Sequence, residues 1–396
     1  MAERTHDCIV VGGGPAGLML GLLLARAGVR TAVLERHGDF LRDFRGDTIH
    51  PSTQQLLHEI GLLERFLALP HADLPQVSMR FSGRRLVLAD FSRLPTVRQC
   101  IAFMPQWDFL DLLADAGREQ AAFDLRMRCD ATALLRDGER VVGVVADAPE
   151  GPVELRARLT VLADGRDSRL RSDAGLEPVG APSAIDVLWF RVPREPGESV
   201  TFMQLGDGAL LSIDRGDFFQ AAHIVRRGAW RGDEASLAAL RRRVGALEPS
   251  FAARLAGLRL DDVRVLRVRI DRLPRWYRDG LLAIGDAAHA MSPAGGVGIN
   301  LAIQDAVAAA NALGPRLASA RPSEALLHRI QRRREPPARI VQAVQRRLET
   351  MLVRVAEPGT RVPVPLPLRV VQRVPALRHL LGRFIGLGPR PEHATR

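Results

Sequence analysis

The stretch DCIVVGGGPAGLMLGLLLARAGVRTAVLER, residues 7–36, decides how the rest of the chain is read. Residues 7–11 read as a short buried strand, apolar from Cys8 on, and Gly12-Gly13-Gly14 must turn. Pro15 follows where a helix begins, because it needs no N–H there and its fixed φ suits the first turn. Residues 18–27 continue as helix, Gly28 stops it, and residues 30–36 return as a second strand ending on Glu35 and Arg36. The unit is strand, turn, helix, strand, with glycines at 12, 14 and 17. That spacing has a physical use. Gly12 permits the tight turn, Gly14 (with Pro15 and Ala16 opening the helix) lets a diphosphate approach bare backbone, and Gly17 lets helix and strand pack closely. The helix N-terminus offers unpaired N–H groups and the positive end of its dipole. Glu35 accepts the hydroxyls of an unphosphorylated ribose. An adenine dinucleotide is expected.

Bulk properties narrow the field. The chain has 396 residues, 46% of them hydrophobic, enough for more than one core. Its net charge is +11, and all 56 basic residues are arginine, dispersed among 45 acids. With aromatics at 5% there is no stacking platform, so no nucleic acid is expected as partner. The three cysteines, Cys8, Cys100 and Cys129, lie far apart and have neither metal-ligand nor disulfide spacing. A cytoplasmic location with no metal and no stable membrane insertion is expected. The N-terminal apolar stretch is interrupted by glycines and proline, unlike a signal peptide.

A second landmark is LLAIGDAAHAMSPAGGVGINLAIQDA, residues 281–306. An apolar strand runs into Gly285-Asp286, a glycine loop follows, and a helix starts near Ile299 and Asn300. Gly296 and Gly298 keep the backbone bare there. Residues 160–176 open with another apolar strand ending in Asp164-Gly165, followed by basic residues. Residues 76–97 and 181–264 change character to alternating segments such as VLWFRV, the pattern of an antiparallel sheet. Residues 338–355 carry Val341, Val344, Leu348 and Leu352 as an amphipathic helix stripe, expected to pack on the body. A proline-rich spacer covers 358–367.

In this order the motifs GGGPAG with Glu35, RGDTIHPSTQQLLHEIGL with Arg45, PQWDFLDLLA with Gln106, LADGRDSRLR with Asp164 and GDAAHAMSPAGGVGIN resemble the class A flavoprotein monooxygenases, the para-hydroxybenzoate hydroxylase-like family. The resemblance extends to about Leu313. Val297 departs from it, since many relatives carry glutamine between these glycines. The fold implied is α/β: a Rossmann-like FAD-binding domain with an inserted, mostly antiparallel substrate-binding sheet and a C-terminal helical region. Residues 1–75, 98–180 and 265–320 would form the first, 76–97 and 181–264 the second, and 321–396 the third.

The resemblance implies FAD as cofactor, NADPH or NADH as transient co-substrate, and O2. Arg45 and Gln106 would contact diphosphate and ribityl, and Asp286 the ribitol. The helix near Ile299 would point its N–H groups at the pyrimidine ring of the flavin. The reaction implied is hydroxylation of an aromatic or polyketide-like molecule through a flavin C4a-hydroperoxide. Leu188, Phe190, Phe202, Met203, Leu211, Phe218 and Pro293 are expected to wall the substrate pocket. Asp214, His223 and Tyr277 are candidates for a catalytic base, each with a structural role as the alternative. A halogenase on this fold would use a lysine and a W-x-W pair, and the chain has neither. An oxidase, dehydrogenase or reductase acting on an apolar metabolite, or a non-catalytic FAD-stabilised partner protein, remain the alternatives.

Overall fold

A computed structural model describes residues 4–41, 48–81, 83–206, 208–355 and 364–395. Two sheets organise them. The first has parallel strands in the order Leu281–Ala283, Gly151–Leu162, Arg4–Val11, Thr31–Glu35, Phe123–Met127. Strands Asp130–Asp137 and Arg140–Ala148 add antiparallel onto Gly151–Leu162, and Tyr277–Arg278 caps the other edge. The central strands are buried on both faces: all five residues of Thr31–Glu35 are buried, as continuous apolar runs in a helix-covered parallel sheet should be. The Pro15–Arg26 helix covers one face. It is apolar nearly all round because it lies between the sheet and the Val297–Leu317 helix.

The second sheet has seven strands in the order Arg264–Arg272, Val179–Pro193, Phe218–Arg226, Gly208–Asp214, Met203–Gly206, Gln76–Phe81, Arg84–Asp90. All its neighbours are antiparallel except Met203–Gly206 against Gln76–Phe81. The sheet takes in Arg264–Arg272, which pairs with Val179–Pro193 in the register Val187 to Leu266. The boundary expected at 264 therefore falls later, after 272. Its alternating arginines, at 264, 267, 269 and 272, hide the strand period from a reading of apolar runs.

The tail is helical, with Glu324–Val355, Leu366–Arg373 and Pro375–Leu387. The buried face of Glu324–Val355 differs from the expected stripe. Val341 and Leu352 are buried, but Val344 and Leu348 are exposed, and Gln342, Gln345 and Glu349 go inside instead. Each buried amide finds backbone partners: Gln342 Nε2 donates to Asp271 O and Ala290 O, and Gln345 Nε2 to Ser292 O and Ala294 O. A helix face that must meet another segment's carbonyls needs donors there, not methyl groups. Residues 358–363 of the expected spacer lie outside the described residues, as does Arg45.

Candidate active site

A cavity of about 560 Å³ opens between the two sheets, and both contribute its lining. At one end are the first turn and its neighbours: Gly12, Gly14, Pro15, Ala16, Glu35 and Arg36. Gly12 has φ +105, and a Cβ on it would lie 2.5 Å from Ala163 O. Gly17 sits behind the loop, where a Cβ would lie 1.9 Å from Gly12 O. Both are fixed by backbone packing. Gly14 differs: its Cβ would meet no atom closer than Ala163 O at 4.0 Å, so it would project toward the cavity. No side chain caps the Pro15–Arg26 helix at Gly14, which leaves its first amides for a ligand. Glu35 is buried, and its carboxylate accepts from Gly13 N at 3.0 Å and His37 N at 2.9 Å. The acid thereby holds the loop while lining the cavity.

The middle of the cavity carries charge. Asp164 lines it, and burial pushes its carboxyl up to about 6, against the Ser168 hydrogen bond and the Arg171 charge. Its Oδ1 is buried without a partner among the described residues. Asp286 lines the cavity and accepts from Arg166 Nη2 at 2.8 Å. Arg166 was not among the expected residues. Its signal was the basic run after Asp164-Gly165, whose partner lies more than a hundred residues on. Arg171, also buried, donates to Ala287 O at 3.1 Å and Arg166 O at 3.1 Å, tying the two acidic loops together.

Gly296, Gly298, Ile299 and Gln106 close this end. Gly296 is left-handed (φ +62), and a Cβ on it would lie 2.2 Å from Thr48 Oγ1. It caps the Val297–Leu317 helix with no side-chain acceptor, so the first N–H groups there stay available. Two expected contacts prove to be supports. Gly285 packs beside Ala16 and Ala302. Asn300 is buried, donates to Thr48 O and Gly296 O, and accepts from His50 N and Thr53 Oγ1. It sets the loop from behind.

The helix itself is anchored by a buried charge cluster. Asp305 accepts from Gly285 N at 3.2 Å, His289 Nε2 at 2.5 Å and Arg334 Nε at 2.9 Å. Arg334 is fully buried and also donates to Glu392 at 3.0 Å. His50 Nδ1 donates to Ile385 O, and burial pushes its ring down to about 4. Neither His50 nor His289 lines the cavity.

The far end is the second sheet. Phe202, Met203, Leu211 and Pro293 line the cavity there. Leu188 and Phe190 do not: they pack against the Glu234–Leu247 helix on the opposite face. Ile185, Val187 and Trp189 face the cavity instead. One step along a strand exchanges faces, and the more apolar set of VLWFRV belongs to the helix side. Phe218 lies at a strand end beneath Arg191, 4.7 Å from its ring centre. None of the three candidate bases lines the cavity. Asp214 pairs with Arg194 at 3.2 Å. His223 faces the helix side, bonds Ala209 O at 3.0 Å, and is pushed down to about 4 by burial. Tyr277 meets His328 edge-on under Arg275.

A cavity with two uncapped helix starts at one end, two carboxylates in its middle and an apolar sheet beyond defines a flavin-dependent oxidoreductase site. The sequence profile of the FAD-binding domain family matches residues 5–346. A 6-methylpretetramide 4-monooxygenase from Streptomyces rimosus is 33% identical over 97% of this chain and 93% of its own length. A 12-dehydrotetracycline 5-monooxygenase/anhydrotetracycline 6-monooxygenase from Streptomyces rimosus subsp. rimosus is 33% identical over 81% of this chain, which spans 65% of that protein. Among solved structures, an anhydrotetracycline hydroxylase from Streptomyces rimosus superposes with a TM-score of 0.77 at 27% identity. That superposition covers 97% of this chain and 76% of the other. The chain belongs to the class A flavoprotein monooxygenases, and FAD is its cofactor.

Proposed function

We propose that the enzyme uses NADPH or NADH and O2 to hydroxylate a polycyclic aromatic molecule of the polyketide type. The observation that carries this is the continuity of one cavity, from the Gly14 cradle to a wholly apolar sheet wall. The names of the relatives acting on tetracycline-type rings point the same way. Bound FAD, once reduced, supplies the activation of oxygen.

The residues divide the remaining work. Gly12, Gly14 and the N-terminus of Pro15–Arg26 would hold diphosphate, and Glu35 would hold the adenosine ribose. The unpartnered Asp164 oxygen awaits a hydroxyl or amide donor. Asp286 would accept a ribityl hydroxyl, with Arg166 already donating to its Oδ2. The uncapped start of Val297–Leu317 would favour negative charge on the flavin held beside it. Ile185, Val187, Trp189, Leu211, Ile213 and Ile224 exclude water from the reacting end. No charged side chain of the second sheet lines the cavity among the described residues. The ring to be oxygenated therefore supplies its own electron density, without a base from that wall. The three free, buried cysteines suit a reducing cytoplasm.

The test is a screen of NAD(P)H oxidation against aromatic polyketides under labelled O2. Slow oxidation without substrate, faster oxidation with it, and one labelled oxygen in the product are expected. Product without label from O2 would sink the monooxygenase reaction and favour dehydrogenation.

A further inference from the structure

The C-terminal helices hold an unusual concentration of two features. Residues 321–396 contain sixteen arginines against five glutamates, a net +11 that equals the charge of the whole chain. Among the described residues, seven of the eleven exposed large hydrophobics also fall here: Ile340, Val344, Leu348, Leu366, Val370, Val374 and Leu380. Scattered exposed apolar residues are normal; these are ordered. Ile340, Val344 and Leu348 stand at i, i+4 and i+8 on Glu324–Val355, so they form one stripe. Leu366, Val370 and Val374 repeat the spacing along Leu366–Arg373 and its C-cap. The six are 37–71% exposed. Exposed arginines flank both stripes, at Arg339, Arg346 and Arg347 on one and Arg369 and Arg373 on the other.

The two helices adjoin. Met351, Leu352 and Val353 from the first, Leu368 from the second and Val364 just before it join one apolar cluster under the second sheet. Their inner faces are thus occupied while their outer faces carry apolar stripes between guanidinium groups. An interfacial amphipathic helix has this composition, with arginine stems lying along apolar surface and their charges reaching outward. A second copy of the chain does not fit the face, because pairing it with itself opposes like charge with like.

We propose that the outer faces of these two helices dock the enzyme on an anionic lipid surface. No described helix is long and apolar enough to cross a membrane, so the contact is peripheral. It also has a use, independent of which substrate the enzyme takes. Leu352, one turn beyond Leu348, and Ile385 of the last helix both line the cavity. The element that rests on the bilayer is then a wall of the pocket, close to where apolar molecules concentrate.

Flotation of the FAD-loaded enzyme with phosphatidylglycerol/phosphatidylcholine vesicles and with phosphatidylcholine vesicles tests this. Binding to the anionic vesicles is expected, weakened by salt, with little binding to the neutral ones. The double variant Val344→Glu/Leu348→Glu should bind at least tenfold more weakly, with flavin content and melting temperature retained. Val97→Glu, an exposed apolar site elsewhere, should bind like the parent, and Val370→Glu offers an independent check if the double variant misfolds. Equal affinity for neutral vesicles, no binding at all, or a stripe variant that binds like the parent would each overturn the proposal. A concentration-dependent dimer abolished by the same variants would overturn it too, assigning the face to a second copy.

Discussion

The two ends of the cavity are built by opposite means. At the cofactor end the backbone makes the surface: Gly12, Gly14 and Gly296 bring bare backbone to the cavity, and buried Asn300, Asp305 and Arg171 hold the loops from behind. At the substrate end side chains make it, with Ile185, Val187, Trp189 and Leu211 presented by strands whose backbone is occupied in the ladder. Backbone surfaces tolerate few residue types, while a side-chain wall accepts any apolar residue of suitable volume. Changes at the first end should therefore act on cofactor occupancy, and changes at the second on substrate choice.

The largest expected effect is at Gly14. Gly14→Val sends a branched side chain toward the cavity, and FAD affinity should drop more than a hundredfold, about 2.7 kcal/mol or more. Flavin absorbance of the purified protein reads this directly. A variant that keeps full flavin would show that the diphosphate lies elsewhere.

Next comes a pair that separates the two faces of one sheet. Leu188→Ala empties a fully packed site against the Glu234–Leu247 helix and should cost about 2–5 kcal/mol of stability while leaving KM for substrate unchanged. Leu211→Ala, on the cavity face, should shift KM and product profile at little cost in stability. Denaturant titration and steady-state kinetics on both variants decide it. The reverse pattern would return the pocket to the Leu188 face.

This pair marks where the sequence stopped being informative. The glycines and Glu35 were legible because a diphosphate cradle constrains residue type at fixed spacing, and Asp164 and Asp286 because each ends a strand. The substrate wall was not. VLWFRV is apolar on both faces, since one meets a helix and the other the cavity, and composition does not say which. The boundary near residue 264 was missed for a related reason, its arginines alternating with the apolar positions of Arg264–Arg272. Arg334, inside a run of three arginines, looks like solvated surface, and only the fold shows Asp305 beside it.

Histidine titration sharpens the line between structure and catalysis. His223 and His50 are each pushed from 6.5 to about 4 by burial. Below pH 6.5 the unfolded chain takes up protons that the folded one refuses, so stability should be full above pH 6.5 and fall as pH drops toward 4. The loss is at most a few kcal/mol per histidine. His223→Leu should flatten that decline yet retain turnover. Loss of turnover in a stable, flavin-loaded variant would restore His223 as a catalytic candidate.

The smallest effect is at the start of the Val297–Leu317 helix. Gly298→Pro is tolerated in a first turn but removes one N–H. Reduction of bound FAD should become harder by about 1 kcal/mol, about 20 mV for two electrons. An unchanged potential with FAD bound would place the pyrimidine ring away from this helix.

The buried cluster of Asp305, Arg334 and Glu392 also bears on the order in which the protein matures. Asp305 steadies the Gly285–His289 turn, and Arg334 balances two carboxylates, one of them contributed from residue 392. While the chain is still leaving the ribosome, the first strand, turn and helix can form early, but this cluster stays incomplete until residue 392 emerges. The flavin end of the site is therefore complete only once nearly all of these residues have been made.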